Sequence, residues 1–210
     1  IWSRGVDREI FNSSHRDMAW RQSFGIADDE PVIGFLGRLV MEKGLDVFSD
    51  TIDELKRRKV KHRIVVIGEG PAQQWFEERI PGAIFAGFQQ GSDLGRAVAS
   101  MDMLFNPSVT ETFGNVTLEA MACGLPVVAA KATGSQSLVK NNDSGKLIRP
   151  GAIREFADAL QLYCENIDLR SAHGSAGEKR AEEYSWDQIN NAVAQTYIRL
   201  VRQRQAGHGP

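Results

Sequence analysis

The chain has 210 residues, 42% of them hydrophobic and 25% charged. That balance belongs to an ordinary globular domain with enough apolar side chains for a core. A formal net charge of -2 argues against nucleic acid as a partner, and no apolar run is long enough to cross a bilayer.

Residues 1–14, IWSRGVDREIFNSS, show neither helical nor strand periodicity and read as a linker leading into a domain over 15–203. The first residue is Ile1 rather than Met, as expected of a piece of a longer protein, and no secretory signal is visible. Trp20–Phe24 suggests a short helix stopped by Gly25. The first strand is expected at Val32–Leu36. A helix follows from near Gly44, with Leu45, Phe48, Ile52 and Leu55 at helical spacing. The basic run Lys56–Arg63 (KRRKVKHR) closes that helix, where positive charge is favourable. A solvated helix end is its plain reading, and peripheral contact with an anionic membrane surface the sharper one.

The second strand is Ile64–Ile67, followed by the turn Gly68-Glu69-Gly70-Pro71 and a helix holding Trp75, Phe76 and Arg79. Strands at Ile84–Gly87 and Met103–Asn106 flank a helix over Ser92–Ser100. The stretch Phe105–Ala130 then reads as strand, Gly-bearing loop, short helix, Gly-Pro turn and strand, the last at Val127–Ala130. Lys146–Ile148 is the last short strand. The tail is helical, with stripes at Ile153, Phe156, Leu160, Cys164 and at Trp186, Ile189, Val193, Tyr197, Leu200, and residues 204–210 read as disordered. Short apolar strands alternating with amphipathic helices imply an α/β fold, a doubly wound parallel sheet covered on both faces. Ligands of such sheets bind outside the carboxyl ends of the strands, so the loops after strands are where chemistry is expected.

The first such loop carries Gly37, Arg38, Lys43 and Gly44, two cations suited to a diphosphate. The second, Gly68-Glu69-Gly70-Pro71, lacks the third glycine of a dinucleotide fingerprint, since Gln73 stands there, and reads as a tight turn at the mouth of a cleft. In the third, Phe88 after Gly87 faces a base or packs into the core. In the fourth, Glu111 and Glu119 bracket Gly114 with seven residues between them. A helix opened by Gly114 turns the N–H groups of Asn115, Val116 and Thr117 toward an anion. One turn further in, Glu119 accepts hydrogen bonds from neighbouring ribose hydroxyls, and Glu111 reaches a sugar. For a carboxylate near a helix N-terminus the plain alternative is stabilisation of the helix dipole.

The four histidines are scattered without metal-ligand spacing, and neither a nucleophile elbow nor a Walker A loop is present. Cys123 and Cys164 read as free thiols of a reducing compartment.

The segments Gly37–Asp46 (GRLVMEKGLD), the GEGP turn and Glu111–Val128 (ETFGNVTLEAMACGLPVV) resemble the donor half of retaining glycosyltransferases of the GT-B fold, family 4. Arg4–Phe11 resembles the segment entering that half, and the likeness extends through Arg149–Gly151 into the tail. Residues 86–116 are similar to a branch with mannosyl- and sulfoquinovosyl-transferring members. The resemblance implies a hexosyltransferase using a UDP- or GDP-sugar, with retention and without a metal or other cofactor. It implies a donor-binding set of Gly37, Arg38, Lys43, Gly87, Phe88, Glu111, Phe113, Gly114, Asn115, Val116 and Glu119, of which Arg38, Lys43 and Glu111 are catalytic. Arg38 and Lys43 would neutralise the diphosphate, Glu119 hold the ribose and Glu111 position the sugar. The family pattern of Gly-Gly followed by Glu after Val127–Ala130 is altered, with Thr133 for one glycine and Ser137 for the glutamate. Partners implied are the N-terminal domain of the same protein and an acceptor glycan or lipid, in the cytoplasm or at the inner face of the cell membrane. Two other readings are a non-catalytic nucleotide-sugar-binding module and a sugar-nucleotide epimerase on the same fold.

Overall fold

The computed structural model describes residues 5–184 and 186–206, without the side chains of Thr133, Asp187, Ala192 and residues 200–206. In chain order it contains α1 (Met18–Ser23), β1 (Val32–Leu36), α2 (Leu45–Arg57), β2 (Arg63–Ile67) and α3 (Gln73–Arg79). Then come β3 (Ile84–Gly87), α4 (Gly91–Ala99), β4 (Met103–Asn106), α5 (Asn115–Ala122) and β5 (Val127–Ala130). The chain closes with α6 (Thr133–Leu138), β6 (Gly145–Ile148), α7 (Ile153–Glu165), α8 (Ile167–Ala181) and α9 (Trp186–Ala206).

All six strands pair in parallel in the order β3-β2-β1-β4-β5-β6. Alternate side chains of each strand enter opposite layers. Ile33, Phe35, Val66, Met103, Phe105 and Val128 pack with Phe48 and Ile52 of α2, Phe76 of α3 and Phe156 and Leu160 of α7. Val32, Val65, Ile67, Leu104, Val127 and Ala129 face α4 and α5 through Val98, Leu118 and Met121. With both faces covered, the strands carry apolar residues at nearly every position, which is why each appeared in the sequence as a short continuous run.

Several local readings change. Residues 5–14, read as linker, pack into the second layer: Val6 is 4% and Phe11 6% exposed, and Val6 N–H donates to Tyr184 O at 2.9 Å. Only two apolar side chains are buried there, too few to set up a period. The helical tail breaks at Asn166, whose side chain accepts the Leu169 N–H and starts α8. The stripe on α7 is buried at Phe156 and Leu160, whereas on α9 Trp186 and Tyr197 are exposed, and the Leu200 side chain lies outside the described residues. The tail read as disordered from 204 is helical through Ala206, and residues 207–210 lie outside the described residues.

The basic run is largely engaged within the fold. Arg57 and Arg58 both reach Glu54, Arg58 also pairs with Asp158, and Lys61 pairs with Asp29. No helix among the described residues is long and apolar enough to cross a membrane.

Candidate functional site

Strand order reverses direction between β1 and β4, which lie side by side at the centre of the sheet. Loops leaving adjacent strands toward opposite faces open a crevice at that point. The loop after β1 carries Arg38 and Lys43, and the loop after β4 carries Glu111 and Gly114. The two loops meet there: Lys43 Nζ lies 2.6 Å from Glu111 Oε1. A Cβ on Gly44 would lie 3.2 Å from Pro107 of the opposing loop. Gly44 also has a left-handed φ of 74° at the start of α2, so glycine suits both the turn and the approach.

Gly114 starts α5 with φ 92°, and no side chain caps the helix. The first helical hydrogen bond runs from Leu118 N–H to Gly114 O at 3.0 Å. The N–H groups of Asn115, Val116 and Thr117 precede it, the arrangement that attracts an anion. Glu119 lies on the same helix and is partly buried. Burial, reinforced by the Glu111 carboxylate, pushes its carboxyl up to about 7.

Beside this crevice is a cavity of about 690 Å³ lined by Gly37, Arg38, Gly68, Glu69, Phe88 and Gln89, among others. Phe88 is 59% exposed there, so the core-packing alternative for this ring falls. Arg38 is exposed, and its side chain pairs with none of the described residues. Gly68 and Gly70 let the loops after β1 and β2 touch: a Cβ on Gly68 would come within 2.0 Å of Gly37 O, and one on Gly70 within 2.4 Å of Leu39 O. Leu39 N–H donates to Glu69 O at 3.0 Å across this contact. The GEGP turn is thus built for loop packing at the cavity wall.

Phe113 packs edge-on against Tyr184, with ring centroids 6.2 Å apart, and lies against the core layer of α4 and α5. Gly134, the glycine kept in the altered pattern after β5, was not among the donor residues expected from the sequence. Its N–H donates to Glu111 O at 3.0 Å, and a Cβ there would meet Glu111 O at 2.8 Å and Gly114 N at 2.9 Å. The available signal was a glycine at the start of the helix that follows β5, the strand next to β4. Ser137, at the altered position, donates its hydroxyl to Gly134 O. Among the described residues no group of three or more His, Cys, Asp or Glu is placed to hold a metal ion. Cys123 and Cys164 are free thiols, both pushed up to about 12 by burial first.

The chain is similar to known proteins in sequence and fold. The chain is 35% identical over 192 residues to sulfoquinovosyl transferase SQD2 of Arabidopsis thaliana, covering 89% of this chain and 37% of that protein. It is 36% identical over 206 residues to a GDP-mannose-dependent alpha-mannosyltransferase of Mycolicibacterium smegmatis, covering 97% and 52%. The chain therefore spans about half, or less, of the length of these relatives. HepE of Anabaena, solved in complex with UDP and glucose, matches with a TM-score of 0.79 and 26% identity over 92% of this chain and 55% of that one. The profile described as Glycosyl transferases group 1 matches residues 30–166. A doubly wound sheet with its charged loops at the switch point, and a family match across most of its length, lead to one conclusion: this chain belongs to the group 1 glycosyltransferases, with the α/β architecture of a GT-B half.

Proposed function

We propose that this chain is the donor-binding half of a retaining, metal-independent family 4 hexosyltransferase that uses a UDP- or GDP-sugar. The meeting of Lys43 and Glu111 beside the uncapped start of α5 carries the reading. A nucleoside diphosphate fits this set of groups. Its base enters the cavity lined by Phe88 and Gln89, and its ribose hydroxyls reach the Glu119 carboxyl. Its phosphates take the α5 N–H groups, Arg38 and Lys43, while the sugar lies on the Glu111 side.

Transfer breaks the bond between the sugar's anomeric carbon and the distal phosphate oxygen, and charge grows on the departing diphosphate. Preorganised cations and N–H dipoles aimed at that oxygen stabilise the transition state more than the ground state. Arg38 and Lys43 supply the cations, and α5 supplies the dipoles. The acceptor hydroxyl comes from the side of an N-terminal domain, which would complete the cleft. The names of the similar proteins, a GDP-mannose-dependent enzyme and a structure holding UDP, support both base choices.

Calorimetric titration of the 210-residue chain with UDP and with GDP tests the donor site. Binding of one or both is expected, weakened by Glu119→Ala. If neither bound at millimolar ligand, the donor assignment would fall. Turnover of a nucleotide-sugar panel by a protein carrying both halves then identifies the sugar.

A further inference from the structure

The ion pair between Lys43 and Glu111 is not the only tie between the two loops. Thr110 Oγ1 donates to Glu42 O at 3.2 Å. Glu42 belongs to a single 3-10 turn, Met41–Lys43, closed by the Lys43 and Gly44 N–H groups bonding to Val40 O and Met41 O. Its carbonyl lies at the free end of that turn, where it needs an acceptor's partner from outside.

Thr110 is itself held from behind. Its hydroxyl lies 3.2 Å from Ser108 Oγ, and its N–H donates to the same oxygen at 3.4 Å. Ser108 N–H donates to Asn106 Oδ1 at 3.3 Å, and Asn106 Nδ2 donates to Thr117 Oγ1 at 3.2 Å. Asn106, Ser108 and Thr117 are all buried. Thr117 lies in the first turn of α5, the turn whose N–H groups face the crevice. A continuous polar chain thus runs from the phosphate-facing turn of α5 to the backbone next to Lys43. Its Asn106, Ser108 and Thr117 members are held in one geometry by burial, and Thr110 with its bond to Glu42 O forms the exposed end of the chain.

We infer that the Thr110 hydroxyl is a positioning residue for Lys43: a backbone clasp that keeps the lysine loop against the α5 loop when the Lys43 ammonium leaves Glu111 for a phosphate of the donor. The inference rests on the donor reading above. The ion pair is exchangeable, because an incoming diphosphate competes with Glu111 for the same ammonium. The hydrogen bond from Thr110 to Glu42 O involves neither charged end, so it persists through the exchange. Lys43 lies on the Glu111 side of the crevice, so it meets the distal phosphate. The clasp therefore matters for a diphosphate and little for a monophosphate.

The test is calorimetry on the 210-residue chain with UDP, GDP, UMP and GMP, using Thr110→Val, which keeps the shape and removes the hydroxyl, and Thr110→Ser, which restores it. Thr110→Ala serves as a second hydroxyl deletion should the valine variant not fold. The deletion is expected to weaken the diphosphate that binds wild type by about three- to tenfold, the range of one lost hydrogen bond. The matching monophosphate should change by less than about twofold, and Thr110→Ser should recover most of the diphosphate affinity. Equal losses for both ligands, or a serine variant as weak as the deletion, would reduce Thr110 to general loop stability and overturn the inference. Unchanged diphosphate affinity in the deletion would overturn it too. If wild type bound none of the four nucleotides, the donor reading itself would fall and the clasp with it.

Discussion

Lys43 and Glu111 stand 68 residues apart in the chain, yet Nζ and Oε1 meet at 2.6 Å across the two loops of the switch point. In this pair each offsets the other's charge. Lys43→Met removes the cation and leaves the Glu111 carboxylate facing incoming phosphates. Affinity for UDP or GDP should fall about 10- to 100-fold, a loss typical of a partly buried charge pair. Glu111→Gln instead releases the ammonium. It should hold diphosphate affinity or raise it up to about threefold, since the pair it breaks is worth about 1 kcal/mol or less. Titration calorimetry separates the two variants; equal losses in both would refute the exchange of Lys43 between Glu111 and the donor.

Glu119 makes the stability of the domain pH-sensitive. Its carboxyl ordinarily titrates near 4.5 and is raised to about 7 by burial and by Glu111. The folded state thus binds this proton more tightly than the unfolded chain does. The resulting stability is fully present below about 4.5 and lost as pH rises through about 7. Glu119→Gln abolishes that slope, a difference on the order of 2–3 kcal/mol between the ends of the window. Urea denaturation of both proteins from pH 4.5 to 8 should show the wild-type curve falling relative to the variant's. Parallel curves would remove Glu119 as the source.

Gly134 is a steric requirement of the site. An added methyl would meet Glu111 O and Gly114 N below 3.0 Å, and backbone atoms do not yield as a side-chain end does. Gly134→Ala should cost about 1–3 kcal/mol in stability and displace the loop that carries Glu111. Nucleotide binding and thermal unfolding should both report the change. A variant indistinguishable from wild type in both would mean that the α5 loop yields freely.

Away from the crevice, Arg21 is fully buried, and Asp102 answers it at 2.9 Å. Asp102 also pairs with Arg16 at 2.8 Å and accepts the Val32 N–H at 2.8 Å. Asp102→Ala leaves the Arg21 guanidinium without its counter-charge, so a loss of about 3–5 kcal/mol is expected. The midpoint of urea unfolding measures it. Because the pair joins α1 to the start of β4, at the opposite end of that strand from the donor loops, nucleotide affinity at temperatures where the variant is folded should not change.

The sheet was legible in advance because its signals are local. An apolar run such as Val32–Leu36 and a 3.6-residue stripe such as Leu45, Phe48, Ile52 and Leu55 record burial one segment at a time. Positions after strands are legible for the same reason and point to Arg38, Lys43, Glu111 and Gly114, with Glu119 one turn into the helix that follows. Less visible were elements with weak periods: α6 is six residues long, and residues 5–14 bury only Val6 and Phe11.

The sequence by itself thus determined a doubly wound α/β domain and the loops that carry its charge. Tertiary structure alone decided which of those charges meet. Strand order brings β1 beside β4, which makes Lys43 the partner of Glu111 and lets Thr110 hold Glu42 O, and β4 beside β5, which sets Gly134 against Glu111 O. It also withdraws Glu119 from water far enough to lift its carboxyl to about 7. Periodicity carries no trace of these contacts, because each joins residues whose separation along the chain is set by the sheet's topology and not by the repeat of a helix or strand.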